Sequence, residues 1–339
     1  MENNYSLVNR IPNLIDTDRA TNELTDREAM GLSNHYQFGD LESKLEDCYI
    51  KISELSKFEL VRLLENKFTP FLERFVSGQL LSLLGDTRIN TLDPLMIEIP
   101  SWSGYLGLDS KDVQRVTDDL KNIGIMQSWI EKETPKYYVQ IKAFRVGKYL
   151  VTNKEYLDFL KDSNYEEIPT SWRFGQYPHH FANHPVYTLS DNACVAYCDW
   201  LSKTTGRKFR LPSEAEWEYS AGGPEGLEFP WGELFDSDCA NTVESGIYQS
   251  TPVGIFPKGD SCFGCSDMAG NVEEYVSDYY KSYNNDKNIV DDLLLVNGDY
   301  RVARGGSFTR FRDLARNKRR HGRYPKEIYV MGFRLAEDY

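Results

Sequence analysis

Two well-punctuated helices followed by a long segment with almost no helical pattern restrict this chain more than any other feature. In LSDNACVAYCDWLSKTTG, Ala193, Ala196, Tyr197, Trp200 and Leu201 fall on one stripe, Ser190 stands at the N-cap position and Gly206 where a helix ends. LPSEAEWEYSAGG predicts a second helix directly after it. Beyond residue 223, Gly, Asp, Asn and Pro recur without helical spacing, so this half must be organised by turns and short strands.

Upstream, VTNKEYLDFLK opens with Thr152 and Glu155 at capping-box spacing. LMIEIP and KYYVQIKAFRVGKY read as strands, and SKDVQRVTDDLKNIG as an amphipathic helix ending at Gly124. Apolar residues between Leu41 and Leu84 (Phe58, Val61, Leu64, then Phe71, Phe75, Leu80) predict two or three helices, interrupted at Pro70. Gly85, Asp86 and Pro94 break that pattern. The expected organisation is a loosely held polar arm over 1–40, a small helical region over 41–93 and one large α+β domain over 94–339.

Charge is distributed unevenly. The chain carries a formal charge of -13, yet RVARGGSFTRFRDLARNKRRHGR holds nine Arg and Lys against one acid, while residues 213–300 hold eighteen acids and three bases. That contrast predicts either intramolecular pairing or a cationic pocket in an acidic frame. Net acidity argues against nonspecific binding to nucleic acid or membrane, and the basic run lacks the exposed aromatics that base stacking needs. The start has no basic segment leading into an apolar run, and no 18-residue apolar stretch occurs. A cytoplasmic protein with reduced thiols is expected, because six cysteines in 339 residues are too few for a disulfide scaffold. Cys262 and Cys265 form a C-x-x-C that suits half a zinc site or a redox pair, but no second such pair exists, so structural thiols are favoured. Of the five histidines, His180 and His184 are spaced i,i+4 between Pro178 and Pro185, which favours a polar loop over a metal site.

FRVGKYLVTNKEYLDFL, NHPVYTLSDNACVAYCDWLSKTTGRKFRLPSEAEWEYSAGG, FPWGELFDSDCANTVESGIYQSTPVG, DMAGNVEEYVSD, RVARGGSF and the terminal GFRL occur in the order and approximate spacing of the formylglycine-generating enzyme (sulfatase-modifying factor) family. Over roughly residues 94–339 the chain resembles that family. The resemblance implies a C-type lectin-like fold with low regular structure and structural calcium. It implies one of three kinds of activity: copper-dependent cysteine oxidation, iron-dependent sulfur attachment of the hercynine-oxygenase type, or ligand binding without chemistry. No cysteine follows Cys265, so the thiolate pair that holds copper just after the GGS block is missing, and no copper is expected. The first ninety residues contain one histidine, too few for an iron-binding bundle.

For calcium, the resemblance implies Asp267, the carbonyls of Gly270 and Val272, and Glu274 at one loop, and Asn241, the Thr242 carbonyl, Glu244 and the Gly246 carbonyl at another. Hard oxygens on bent loops suit that ion; self-capping turns are the alternative. The GGS strand and following loop line the family's pocket, so Ser307, Arg310, Arg312 and Arg316 become candidates to bind an anion through guanidinium forks. Structural pairing of the same cations competes with this, notably for Arg301, Arg304, Arg320 and Arg334. Glu273 and Tyr275 replace the two tryptophans of the family's GNVWEW pattern, which places a charge on the pocket floor. A noncatalytic, calcium-stabilised recognition module is the expected function. Its ligand would be an anionic small molecule or a protein segment, and its N-terminal helices could dock to a partner. The alternative is a non-copper oxidoreductase or tailoring enzyme of the superfamily, one that uses nonheme iron or resembles the pyoverdine-maturation type.

Overall fold

The computed structural model describes residues 19, 21–32, 35, 41–284 and 287–339, so most of the expected N-terminal arm lies outside the described residues. Residues 21–32 are not loose. Leu24, Ala29 and Met30 are buried in the main core, because this short stretch supplies three apolar side chains that the body can cover.

Three helices follow: α1 (Leu41–Ile52), α2 (Lys57–Glu65), started by a Ser56–Glu59 capping box, and α3 (Phe71–Leu84), started after Pro70. They do not form a separate unit. Phe71 packs on Phe256 with ring centroids 5.4 Å apart, and buried Arg74 donates from Nε to the Ile255 carbonyl at 2.8 Å. A Cβ on Gly78 would lie 2.7 Å from the Pro252 ring. The expected boundary at Gly85–Pro94 is itself anchored: Arg88 pairs with Asp86 at 2.6 Å and donates to the Val253 carbonyl at 2.9 Å.

The body has three small sheets. The strands β1 (Met96–Ile99), β2 (Trp102–Leu106), β3 (Tyr137–Ile141), β4 (Phe144–Leu150), β5 (Lys208–Arg210), β6 (Glu273–Tyr279), β7 (Arg301–Arg304), β8 (Met331–Gly332) and β9 (Arg334–Asp338) arrange as β1-β4-β9-β5, β2-β3 and β7-β6-β8. The C-terminal strand β9 lies between β4 and β5, so the terminal segment closes the central sheet. Helix α4 (Val113–Leu120) continues as a turn to Gly124 in the left-handed conformation. Helix α5 (Asn153–Ser163) starts with the Thr152–Glu155 capping box, and α6 (Asp191–Thr205) is capped by Ser190 and ended by Gly206 at φ 74. Helix α7 (Glu214–Gly222) follows its Ser213 cap. The segment from Gly223 to β6 carries short 3-10 turns and no longer helix. Among the described residues no helix is long and apolar enough to cross a membrane.

Candidate functional site

The site is built where four backbone segments meet. Strand β6 brings Glu273, whose N–H donates to the Val330 carbonyl; β7 pairs through Ala303 with His321; Tyr329 comes from the irregular segment leading into β8. After β7 the chain turns sharply at Gly305 and Gly306, both at positive φ, and a Cβ on Gly306 would meet the Leu314 carbonyl carbon at 2.8 Å. That turn sends Arg310 back beneath Tyr329, with the guanidinium 5.0 Å from the ring centroid.

Arg310 is 6% exposed, and its Nη1 has no hydrogen-bond partner. Beside it His321 Nδ1 and Glu273 Oε2 are 2.6 Å apart, while Glu273 Oε1 also lacks a partner. Burial lifts the Glu273 carboxyl to about 8, against the pull of Arg310, and burial with the neighbouring Arg310 and Arg319 cations holds His321 well below its ordinary value. The pair is therefore a hydrogen bond between neutral groups near neutrality, although its distance would also suit an ion pair. A cavity of about 10 Å³ remains between Arg310, His321, Tyr329, Lys132, Asn22 and the aspartates Asp291 and Asp292, which Lys132 and Asn22 engage. Asn22 closes it from the N-terminal segment, accepting from the Tyr329 hydroxyl at 2.5 Å and donating to Asp292. Orphaned polar atoms at so small a void mark a place where the polypeptide has left hydrogen-bonding capacity unspent.

The other expected pocket residues lie elsewhere. Arg316 is buried and turned away from Arg310, with both terminal nitrogens on Glu133 and Nε on Glu228. Arg312 sits nearer the surface, its Nη1 3.5 Å from Glu244 and its Nη2 on Asn122. The Ser307 hydroxyl is fully buried against Thr309 Oγ1 at 2.9 Å. Most of the cationic run pairs inward: Arg304 with Glu214 and Glu218, and Arg320 with Glu214; Arg301 reaches Asp191, outside the acidic segment, and Arg334, beyond the run, pairs with Glu274. His321, Tyr329, Lys132 and Asn22 were not anticipated at the site. His321 inside the NKRRHGR run was the one local signal, since a histidine among so many cations must be held neutral or paired.

The two calcium loops present oxygens that protein donors already occupy. Glu274 accepts from Arg334 Nε and Nη2 at 2.5 and 2.7 Å and from Trp217 Nε1 at 3.0 Å. Asp267 accepts from the Gly254 N–H, and burial raises its carboxyl to about 7. In the first loop, Ser245 Oγ donates to Asn241 Oδ1 or the Thr242 carbonyl, while Glu244 takes the Arg312 N–H and the Thr242 hydroxyl. Gly246 caps that turn by donating to Val243. With a guanidinium already seated on both of its oxygens, Glu274 as placed here is engaged by Arg334 and does not fit the role of a calcium ligand. Among the described residues no three His, Cys, Asp or Glu converge as metal ligands. His184 is buried between Ser250 Oγ and Gln79, and burial pulls it down to about 3, whereas His180 is exposed. Cys262 is exposed and Cys265 buried, and both thiols are free.

Residues 107–339 match the sulfatase-modifying factor enzyme 1-like domain. The chain is 34% identical over 226 residues to the serine/threonine-protein kinase Pkn1 of Chlamydia trachomatis, which covers 61% of this chain and 35% of that one. It is 26% identical over 305 residues to the formylglycine-generating enzyme of Mus musculus, covering 72% and 75%. The solved structure of PvdO from Pseudomonas aeruginosa superposes with a TM-score of 0.57 at 26% identity, covering 73% of this chain and 95% of that one. The chain thus spans about a third of the chlamydial kinase's length.

Proposed function

The chain belongs to the sulfatase-modifying factor family, and on that footing we propose that its pocket recognises an anionic group through Arg310 rather than oxidising a cysteine. One observation carries this reading: a fully charged guanidinium, packed under Tyr329 and nine-tenths buried, keeps one nitrogen without an acceptor. Arginine stays protonated in such a setting, so a carboxylate, sulfate or phosphate oxygen is the partner it lacks. The neutral Glu273–His321 pair beside it adds no negative charge to oppose an anion. Asn22 occupies the mouth, so binding displaces the 21–32 segment.

The test is calorimetric titration of the protein and of Arg310→Met with acetate, sulfate and phosphate. Saturable binding of one anion, lost in the variant, supports recognition. No binding of any of them to the wild type counts against it.

A second reading is a non-copper oxidoreductase or tailoring enzyme of the superfamily, whose similar members include a protein named hercynine oxygenase. It is favoured by the buried acid–base contact at 2.6 Å between Glu273 and His321, a geometry suited to moving a proton. Stoichiometric iron in the purified protein would move the assignment to this reading.

A further inference from the structure

The residues around the small cavity at Arg310 fall within 107–339, the segment that matches the family, with the exception of Asn22. Asn22 belongs to a strap, residues 21–32, made of a 3-10 turn (Thr21–Glu23) and a one-turn helix (Asp26–Ala29) with a Thr25–Glu28 capping box. Four helical residues do not hold their shape unaided, because nucleation costs more than one turn of hydrogen bonds returns. The strap is therefore ordered by what it lies on. Leu24, Ala29 and Met30 enter the main core, Lys326 Nζ donates to the Leu24 carbonyl, and the Asn22 amide bridges Tyr329 and Asp292.

The other walls are braced from within the domain. Lys132 is buried on Asp291 at 2.5 Å, with the Tyr280 and Tyr300 rings beside its ammonium. His321 exchanges two backbone hydrogen bonds with Ala303 of β7, and the Arg310 backbone is tied to Ser307 and Val243. Of these walls the strap is the one whose release breaks no strand pairing.

A volume of about 10 Å³ holds one water at most, so no carboxylate, sulfate or phosphate enters while the strap is in place. Closure also leaves the guanidinium unneutralised. Both polar atoms of the Asn22 amide are spent on Tyr329 and Asp292, and Arg310 Nη1 stays without an acceptor. An anion thus gains in the open state a contact that the closed state cannot offer, and this difference in affinity is what shifts a two-state element. Asp292 is half-buried in the first turn of a short helix, where water can replace the amide.

We propose that residues 21–32 are an autoinhibitory strap that holds the anion site shut, a role that rests on Arg310 being the anion's partner. The apparent affinity for an anion is then the intrinsic affinity scaled by the fraction of molecules whose strap is open.

The test uses the full chain with Asn22→Ala, which removes both amide bonds, or Leu24→Ser, which weakens the core anchor. Diethyl pyrocarbonate attacks neutral imidazole, and His321 is neutral and 7% exposed, so its modification followed by peptide mass spectrometry reports opening without any anion. Modification of His321 should be at least about fivefold faster in each variant than in the wild type, and calorimetric titration should show sulfate, phosphate or acetate binding tighter by a similar factor. Adding Arg310→Met to Asn22→Ala should abolish that binding. Should Leu24→Ser loosen the whole fold, Asn22→Ala stands alone, with hydrogen exchange accelerated in residues 24–32 and unchanged in β6 and β7. Equally slow His321 modification in the wild type and Asn22→Ala, or an anion that binds both with equal affinity, would overturn the strap. Faster modification with none of the three anions bound by any variant supports the strap and removes the anion reading instead.

Discussion

Arg316 presents Nη1 and Nη2 to the two carboxylate oxygens of Glu133, at 2.8 and 2.9 Å, across 183 residues of sequence. Both side chains are buried, and Glu228 meets the remaining Nε. The fork ties the loop after β7 to the segment preceding β3, so a cation suited to a ligand serves as an internal brace.

Arg316→Ala is therefore expected to cost about 3–5 kcal/mol, because it leaves Glu133 buried and unpaired. Arg312→Ala, at a partly exposed pair, is expected to cost about 1 kcal/mol or less. Urea denaturation of the two variants measures the difference. Equal losses would mean that burial is not what distinguishes the two arginines.

Glu273 imposes a pH dependence with a definite sign. Its folded carboxyl titrates at about 8 against an ordinary 4.5, so between those values the folded chain holds a proton that the unfolded chain has released. This contribution is fully present below the ordinary value and is lost as pH rises towards 8. Relative to Glu273→Gln, wild-type stability should fall by up to about 1.4 kcal/mol per pH unit across that window. Parallel stability profiles for the two proteins would show that Glu273 ionises normally.

Chelation is expected to leave the melting temperature unchanged, since Arg334 supplies the cation that Glu274 faces. Melting curves with and without EGTA check this. A drop of several degrees restored by calcium would show that Glu274 exchanges Arg334 for the ion.

Gly78→Ala should destabilise the protein by about 1–3 kcal/mol through overpacking against Pro252, although alanine is the better helix former by up to about 1 kcal/mol. A stabilised variant would mean that α3 moves freely over the body.

Local rules were enough for much of the fold. The capping box at Thr152, the Ser190 cap and the glycine stops at Gly124 and Gly206 depend on neighbours within one helical turn, so they can be read in a linear string and recur in the structure. The ordered blocks likewise identified the family, because their order and spacing stand in the sequence itself. The same strings could not show that residues 21–32 fold onto the body, or that α3 docks on Pro252 and Phe256.

What each cation of the 301–323 run does was decided by tertiary structure. Composition established nine positive charges beside an acidic segment, and electroneutrality in a low-dielectric interior required most of them to find acids. Which arginine found which acid depended on long-range packing: Glu133 for Arg316, Glu214 for Arg320, Glu218 for Arg304. Arg310 differs from them because the glycine turn at Gly305–Gly306 aims it under Tyr329, where the chain supplies an aromatic face and leaves one nitrogen without an acceptor.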